Sequence, residues 1–145
     1  MAWLDREETL FKVMEKQLVR GRLSKGFDEV KDFISFSLSV QNRCKSRAGY
    51  ALENHLEVIF RESGVRYSRG AFTENRSKPD FIFPGKKEYD DSDFNVTGLT
   101  MPGVKSSCKE RWRQVLSEAD RIKQKHLLTL EAGISSNQTD EMQAK

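Results

Sequence analysis

Two stretches organise this chain: residues 77–85, with the sequence SKPDFIFPG, and residues 99–122, with the sequence LTMPGVKSSCKERWRQVLSEADRI. In the first, Asp80 precedes an apolar run at 81–83, and in the second a mainly apolar run ends at Lys105. Short apolar runs of this length are typical of buried strands. We therefore expect two strands, each with a charged residue at one end, followed by a helix.

Three charged side chains are expected to meet where these elements end: Asp80, Lys105 and Glu118, the last on the helix. Pro79 disfavours helical backbone just before it, which puts Asp80 at the start of an extended strand. An unpaired carboxylate is costly to bury there, and a cation would remove that cost. Bound Mg2+ activates water, and a lysine ammonium neutralises phosphate oxygens. The trio predicts metal-dependent phosphodiester hydrolysis; the alternative is an aspartate that only caps a strand.

The motif resembles that of the PD-(D/E)xK nuclease superfamily, whose first half matches Pro79 and Asp80. The second half would place an acid two residues before the lysine, where this chain has Gly103. One branch of restriction endonucleases takes that acid from the next helix, where Glu118 stands. Four blocks resemble the C-terminal catalytic domain of EcoRII-type type II restriction endonucleases: SRAGYALENHLE, TENRSKPDFIFPG, GVKSSCKERWRQVLSEADRI and KHLLTL.

The resemblance implies a Mg2+ site and a set of catalytic residues. The metal ligands would be Asp80, Glu118 and the carbonyl of Val104, with Gly103 leaving room for the backbone beside the metal. Lys105 would position the attacking water. Glu53, in ALENHLE, would support the metal or the lysine, and Tyr89 matches a tyrosine near the family's catalytic centre. The catalytic set is therefore Asp80, Lys105, Glu118, Glu53 and Tyr89.

A charged triplet at the start of the expected helix, Lys109, Glu110 and Arg111, is the candidate for DNA recognition. Lysine or arginine pairs with guanine O6 and N7, and glutamate accepts from cytosine N4. The triplet therefore suits neighbouring G·C pairs, and the resemblance implies a CCWGG or CCNGG site. The alternative is an ordinary ion-paired helix start. A palindromic site implies a homodimer with two active sites.

Length and composition are those of an ordinary globular protein. The chain has 145 residues, 37% hydrophobic and 32% charged, with a net charge of +3, which alone does not indicate nucleic acid. Its two cysteines, Cys44 and Cys108, have no metal-ligand spacing and form no disulfide framework, so we expect a reducing cytoplasm. No apolar run is long enough for a membrane span, and no signal peptide is visible.

The N-terminal third is expected to be helical, with helices at 2–20, 27–38 and 46–63. The apolar stripes of the first two are expected in the core, with a dimer contact as the alternative. The basic stretch 41–47 would be a link, either a solvated loop or a phosphate-contacting segment. We divide the chain into an N-terminal helical segment, 1–45, and an endonuclease catalytic core, 46–145, within a single domain overall.

The remaining segments complete an α/β fold. We expect an edge strand at 65–72, a polar loop at 84–98, a helix at 107–122, and a strand at 125–130 parallel to that at 99–105. The sequence thus predicts a restriction-endonuclease-like mixed sheet flanked by helices on both faces. The family's catalytic domain continues for one more strand and further helices, so we expect either a naturally short protein or a C-terminally truncated version of that domain.

We therefore expect a type II site-specific endonuclease that hydrolyses double-stranded DNA with Mg2+ at a short C/G-rich site. One alternative is a repair nuclease of the same fold, such as a mismatch-nicking enzyme or a junction resolvase. The other belongs to a different class: a catalytically inactive DNA-binding fragment, whose binding would be salt-sensitive and without cleavage.

Overall fold

A computed structural model describes residues 2–107, 112–130 and 133–144 of the chain. It divides into two compact units, Met1–His55 and Leu56–Lys145. The helices are α1 Ala2–Leu23, α2 Val30–Glu62, α3 Lys86–Asp90, α4 Trp112–Leu116 and α5 Ser136–Gln143. The strands are β1 Ser68–Arg69, β2 Phe81–Ile82, β3 Pro102–Lys105 and β4 His126–Thr129, and two short 3-10 helices lie at Glu74–Arg76 and Val96–Gly98.

The first unit consists of α1 and most of α2. The expected link at 41–47 is wrong, because α2 runs without a break through it. The stretch contains neither glycine nor proline, and its Arg and Lys are good helix formers. Arg43 binds Glu15 of α1 at 2.8 Å, and the Arg47 guanidinium lies over the ring of Phe11. The basic residues of this stretch therefore connect two helices.

The apolar stripes of these helices are more exposed than expected. Leu10, Met14 and Leu18 of α1 are each more than half exposed, and so are Ile34 and Leu38 of α2. The prediction that both stripes lie in the core is therefore wrong for these residues. Helical spacing identifies an apolar face of a helix, but it does not specify what covers that face.

The second unit contains two strand pairs that a bridge connects. β1 and β2 are antiparallel, with Arg69 opposite Phe81, and β3 and β4 are parallel, with Val104 opposite Leu128. An antiparallel bridge between Phe83 and Thr100 joins the pairs. This mixed order confirms the predicted sheet, and the parallel β3–β4 pair confirms the predicted strand–helix–strand unit. The strand expected at 65–72 is shorter and comprises only β1.

The core of this unit lies between the sheet, α3 and α4. Phe81, Ile82 and Met101 are fully buried. The segment expected as a polar loop, 84–98, is partly ordered, since it contains α3 and contributes the buried Tyr89 to the core. None of the described helices combines the length and the hydrophobicity that crossing a bilayer requires.

The helix expected at 107–122 is much shorter within the described residues. α4 ends at Leu116, and Ala119 has a left-handed φ of 50°. Val115, Ala119 and Ile122 are nevertheless buried, because the turn after α4 returns the last two to the core. The predicted helix is therefore wrong after Leu116, where a turn and not a helix buries the apolar residues.

Candidate active site

Asp80 and Lys105 form a nearly buried ion pair where two strands meet. Asp80 immediately precedes β2, and Lys105 is the last residue of β3. The Lys105 Nζ lies 2.8 Å from Asp80 Oδ2, and only 11% and 16% of the two side chains is exposed. The antiparallel bridge at Phe83 and Thr100 explains the contact, because it sets the start of β2 beside the end of β3.

The backbone of Val104 also faces Asp80. Its N–H donates to Asp80 Oδ2 at 2.7 Å. In an extended strand the N–H and C=O of one residue point to the same side, and that side alternates along the chain. The carbonyl of Met101, three residues earlier, accepts from His126 of β4. The Val104 carbonyl therefore points away from β4, to the side on which Asp80 lies.

Gly103 is in close contact with α4. A Cβ at this position would lie 2.3 Å from Cγ2 of Val115. Gly103 is therefore needed for the packing of α4 on β3. That it also leaves room beside a metal stays a prediction. The same packing leaves no space for an acidic side chain at position 103. The second acid must come from another element.

Glu118 lies in the turn that follows α4, and not on the helix itself. Its Oε2 is buried and has no hydrogen-bond partner within the described part of the chain. Burial raises the pKa of Glu118 above its ordinary value; Lys105 and Lys125 act against this, and the charge of Asp80 adds to it. A buried carboxylate oxygen without a partner is unfavourable, and a bound cation is one way to satisfy it.

These groups fit a Mg2+ ion in kind and number. Mg2+ in proteins is usually bound through one or two carboxylates and keeps several waters. Here the donors would be the carboxylates of Asp80 and Glu118 and the carbonyl of Val104. Within the described residues, the two hydrogen bonds to Asp80 both end on Oδ2, so Oδ1 could bind a cation. A group of three or more His, Cys, Asp or Glu side chains, as zinc sites use, does not occur among the described residues.

Tyr89 lies in the core of the second unit, 3% exposed. Its hydroxyl donates to Glu74 and accepts from the backbone N–H of Arg121. Burial raises the pKa of Tyr89 far above its ordinary value, and the bond to Glu74 adds to this. The tyrosine is therefore neutral at physiological pH and links α3 to the turn that contains Glu118. Its catalytic role stays a prediction.

Four predicted residues remain: Glu53 and the triplet Lys109, Glu110 and Arg111. Glu53 is half-buried on α2 and belongs to the first compact unit. Its role at the metal stays a prediction. Lys109, Glu110 and Arg111 lie outside the described residues, so their role in base recognition also stays a prediction.

Two basic residues that follow Glu118 bind backbone carbonyls, which was not anticipated from the sequence. The Lys125 ammonium donates to the carbonyls of Glu118 and Ala119. The Arg121 guanidinium donates to the carbonyls of Tyr89, Asp91 and Phe94, the last two at 2.6 Å. Such contacts depend on where turns present their carbonyls, which residue spacing does not encode. The available signal was the group of basic residues that follows Glu118.

The arrangement suits hydrolysis of a charged ester. Two carboxylates and a carbonyl converge beside an ammonium group that is largely shielded from water. In such surroundings charges interact more strongly than in bulk water. A phosphate that enters this site would meet a positive charge from Lys105, while the acidic pair would hold a cation next to it.

Comparison with known proteins gives the family. The family model of the EcoRII C terminal matches residues 11–145. The type II restriction enzyme EcoRII of Escherichia coli is 48% identical over 137 residues, which cover 94% of this chain and 34% of that enzyme. The chain thus spans about a third of the length of that relative.

Solved structures give the fold. Two structures of metal-depleted Ecl18kI, in complex with uncleaved DNA and with uncleaved, modified DNA, both match with a TM-score of 0.76. They are 22% and 23% identical, and the match covers 97% or more of this chain and 55% of each Ecl18kI chain. These matches confirm the predicted restriction-endonuclease-like fold. By its sequence, this chain belongs to the family of EcoRII C-terminal domains.

Proposed function

We propose that this chain is the catalytic domain of a type II restriction endonuclease, which hydrolyses double-stranded DNA with Mg2+. Two observations carry the proposal: the buried Lys105–Asp80 pair, whose charges act on Glu118, and the Oε2 of Glu118, which has no hydrogen-bond partner among the described residues. Membership of a family that includes the restriction enzyme EcoRII supports it, as does the fold of Ecl18kI, a protein solved with DNA.

In this proposal each residue of the site has a separate role. Asp80, Glu118 and the Val104 carbonyl bind Mg2+, which when bound lowers the pKa of a water and stabilises charge on the phosphate. Lys105 orients the attacking water and neutralises the phosphate oxygens. Glu53 supports the metal or the lysine, and Tyr89 acts near the site.

Base recognition is assigned to the triplet Lys109, Glu110 and Arg111. Two positive donors and one acceptor match the exposed edges of neighbouring G·C pairs. We propose a short C/G-rich site of the CCWGG or CCNGG type.

A homodimer is the proposed assembly, since a palindromic site is matched by a protein with twofold symmetry. The exposed apolar residues of the N-terminal helices support it, because large exposed apolar surfaces often mark interfaces. Those residues are Leu10, Val13, Met14, Leu18, Ile34 and Leu38. Light scattering measures the assembly directly. The cytoplasmic location stays a prediction.

The test of the function is digestion of duplexes that contain CCWGG, CCSGG or neither, in Mg2+ and in Ca2+. We expect cleavage only at the sites and only in Mg2+. Asp80→Ala is expected to abolish it, and Asp93→Ala, an exposed acid in the loop, to leave it unchanged.

Other outcomes identify the alternatives. Cleavage without sequence preference would indicate a repair nuclease of the same fold. Specific, salt-sensitive binding in Ca2+ without cleavage in Mg2+ would indicate an inactive DNA-binding fragment. Cutting at only one of the two site types defines the central base.

A further inference from the structure

Lys125 holds the backbone of the turn that contains Glu118. Its half-buried ammonium donates to the carbonyl oxygen of Glu118 and, at 2.7 Å, to that of Ala119. The carbonyls that follow the last turn of a helix have no partner within the helix, and a cation there satisfies them. Lys125 lies just before β4, so it connects the turn to the parallel strand pair.

The turn needs such support because its backbone is unfavourable. Ala119 has a φ of 50°, in the left-handed region, and for a residue with a side chain this costs about 1–2 kcal/mol. The Ala119 carbonyl also accepts from the N–H of Ile122 at 2.9 Å, which closes the turn. The Lys125 ammonium adds a charged hydrogen bond to the same oxygen, and charged hydrogen bonds are stronger than neutral ones.

The turn decides where the Glu118 carboxylate lies. Asp80 and Lys105 are fixed by neighbouring strands and by their ion pair. Glu118 has no comparable restraint, since its Oε2 lacks a hydrogen-bond partner in the described residues. The position of its side chain therefore follows from its backbone, which Lys125 binds.

We propose that Lys125 is a positioning residue of the active site, which fixes the Glu118 carboxylate for metal binding by holding the carbonyls of Glu118 and Ala119. The inference rests on the proposed function, because it assigns Lys125 to the metal site described there. Lys125 acts through Glu118 and touches neither the substrate nor the metal. Residues that orient metal ligands typically contribute 10–100-fold to metal affinity or activity.

The experiment compares wild type with Lys125→Met, which keeps the length of the side chain and removes the ammonium. MgCl2 is titrated into the full chain, and the melting temperature is followed at each concentration, since an ion that binds the folded state raises it. The Mg2+ concentration for half-maximal cleavage is measured in parallel. Lys123→Met removes an exposed lysine two residues earlier and is the matched control.

We expect Lys125→Met to need about tenfold more Mg2+ in both measurements. Lys123→Met should match wild type. Lys125→Arg should recover most of the affinity, because a guanidinium also donates to two carbonyls. If Lys125→Met does not fold, Lys125→Gln replaces it. This variant should bind Mg2+ more weakly than wild type does, because its shorter amide lacks the charge of the ammonium.

Two results would overturn the inference, and they differ. If wild type responds to Mg2+ and Lys125→Met responds at the same concentration, Lys125 has no positioning role, even if the variant melts at a lower temperature. If wild type itself shows no response to Mg2+, the proposed metal site is refuted, and the inference about Lys125 is refuted with it.

Discussion

The candidate site has a strand half and a turn half, which are built in different ways. In the strand half, Asp80 and Lys105 come from adjacent strands and neutralise each other at 2.8 Å. In the turn half, Glu118 is partly buried, and one of its oxygens lacks a partner within the described residues. The strand half therefore neutralises its own charges, whereas the turn half contains a buried carboxylate oxygen that a cation would satisfy.

The largest effect is expected when the positive charge of the strand half, on Lys105, is removed. Lys105→Met should lower the rate of cleavage in Mg2+ roughly a thousandfold, because about 4 kcal/mol of transition-state stabilisation is lost. Single-turnover kinetics on a cleavable duplex measure this. Lys87→Met, on an exposed residue of α3, should cleave normally. A rate within tenfold of wild type would show that Lys105 has no part in the chemistry.

The next prediction distinguishes the two acids, Asp80 and Glu118, by the stability of their variants. Asp80→Asn and Glu118→Gln should both reduce cleavage, each by about a hundredfold or more. In metal-free buffer, however, their stabilities should diverge. Asp80→Asn should lose about 3 kcal/mol, because it leaves the Lys105 ammonium buried without its partner. Glu118→Gln should be as stable as wild type or more stable, since it removes a charge that burial disfavours.

Urea unfolding in EDTA tests this divergence, with Asp93→Asn as the exposed control. Equal destabilisation by both substitutions would mean that the two halves do not differ as described.

A smaller effect is expected at the contact between Gly103 of β3 and Val115 of α4, the helix that precedes the turn half. Gly103→Ala should destabilise the protein by about 2 kcal/mol, since the added methyl would overlap Val115. Val115→Ala in the same chain should restore part of the loss, and the two changes should therefore be non-additive. Gly49→Ala, on α2 with open space around it, should be neutral or stabilise by up to about 1 kcal/mol. Additive effects at Gly103 and Val115 would contradict the contact.

The smallest effect is a difference in pH dependence, again in metal-free buffer. Burial raises the folded pKa of Glu118, so the folded state holds that proton more tightly than the unfolded state does. Stability is then lost as the pH rises from the unfolded value, about 4.3, through the raised folded value. Glu118→Gln should abolish this loss.

Glu57 is expected to change the stability with pH in the opposite direction. Its hydrogen bond to Arg69 lowers its pKa, so its contribution is present above the ordinary carboxyl value and disappears as the pH falls through the lowered one. As the pH rises above the ordinary carboxyl value, Glu118→Gln should therefore gain stability relative to wild type. As the pH rises towards that value from below, Glu57→Gln should lose stability relative to wild type. Curves of the same sign would refute the assignment.

The sequence predicted the strand half well and the turn half less well. The apolar runs before Lys105 and after Asp80 indicated strands, and strand pairing then brought the two charges together. The helix expected to contain Glu118 ends before it, because periodic burial at Val115, Ala119 and Ile122 is also satisfied by a left-handed turn. Periodicity reports which residues avoid water, and the carbonyl contacts that end a helix leave no such pattern.

The N-terminal helices show a second limit. Arg43 and Arg47 suggested a link because they are charged, yet they pair with Glu15 and Phe11 inside a helical unit. The exposure of Leu10 shows that an apolar stripe does not by itself predict a core position.

Arg121 has a consequence for how the chain resists proteases. Its guanidinium holds the carbonyls of Tyr89, Asp91 and Phe94, and it lies three residues after Glu118. A protease cleaves backbone only after it opens locally, and the segment 86–98 can open only when those three carbonyls are released. If an ion orders the turn at Glu118, proteolytic cleavage within residues 86–98 should therefore become slower. This is expected although that segment supplies none of the proposed ligands of the ion.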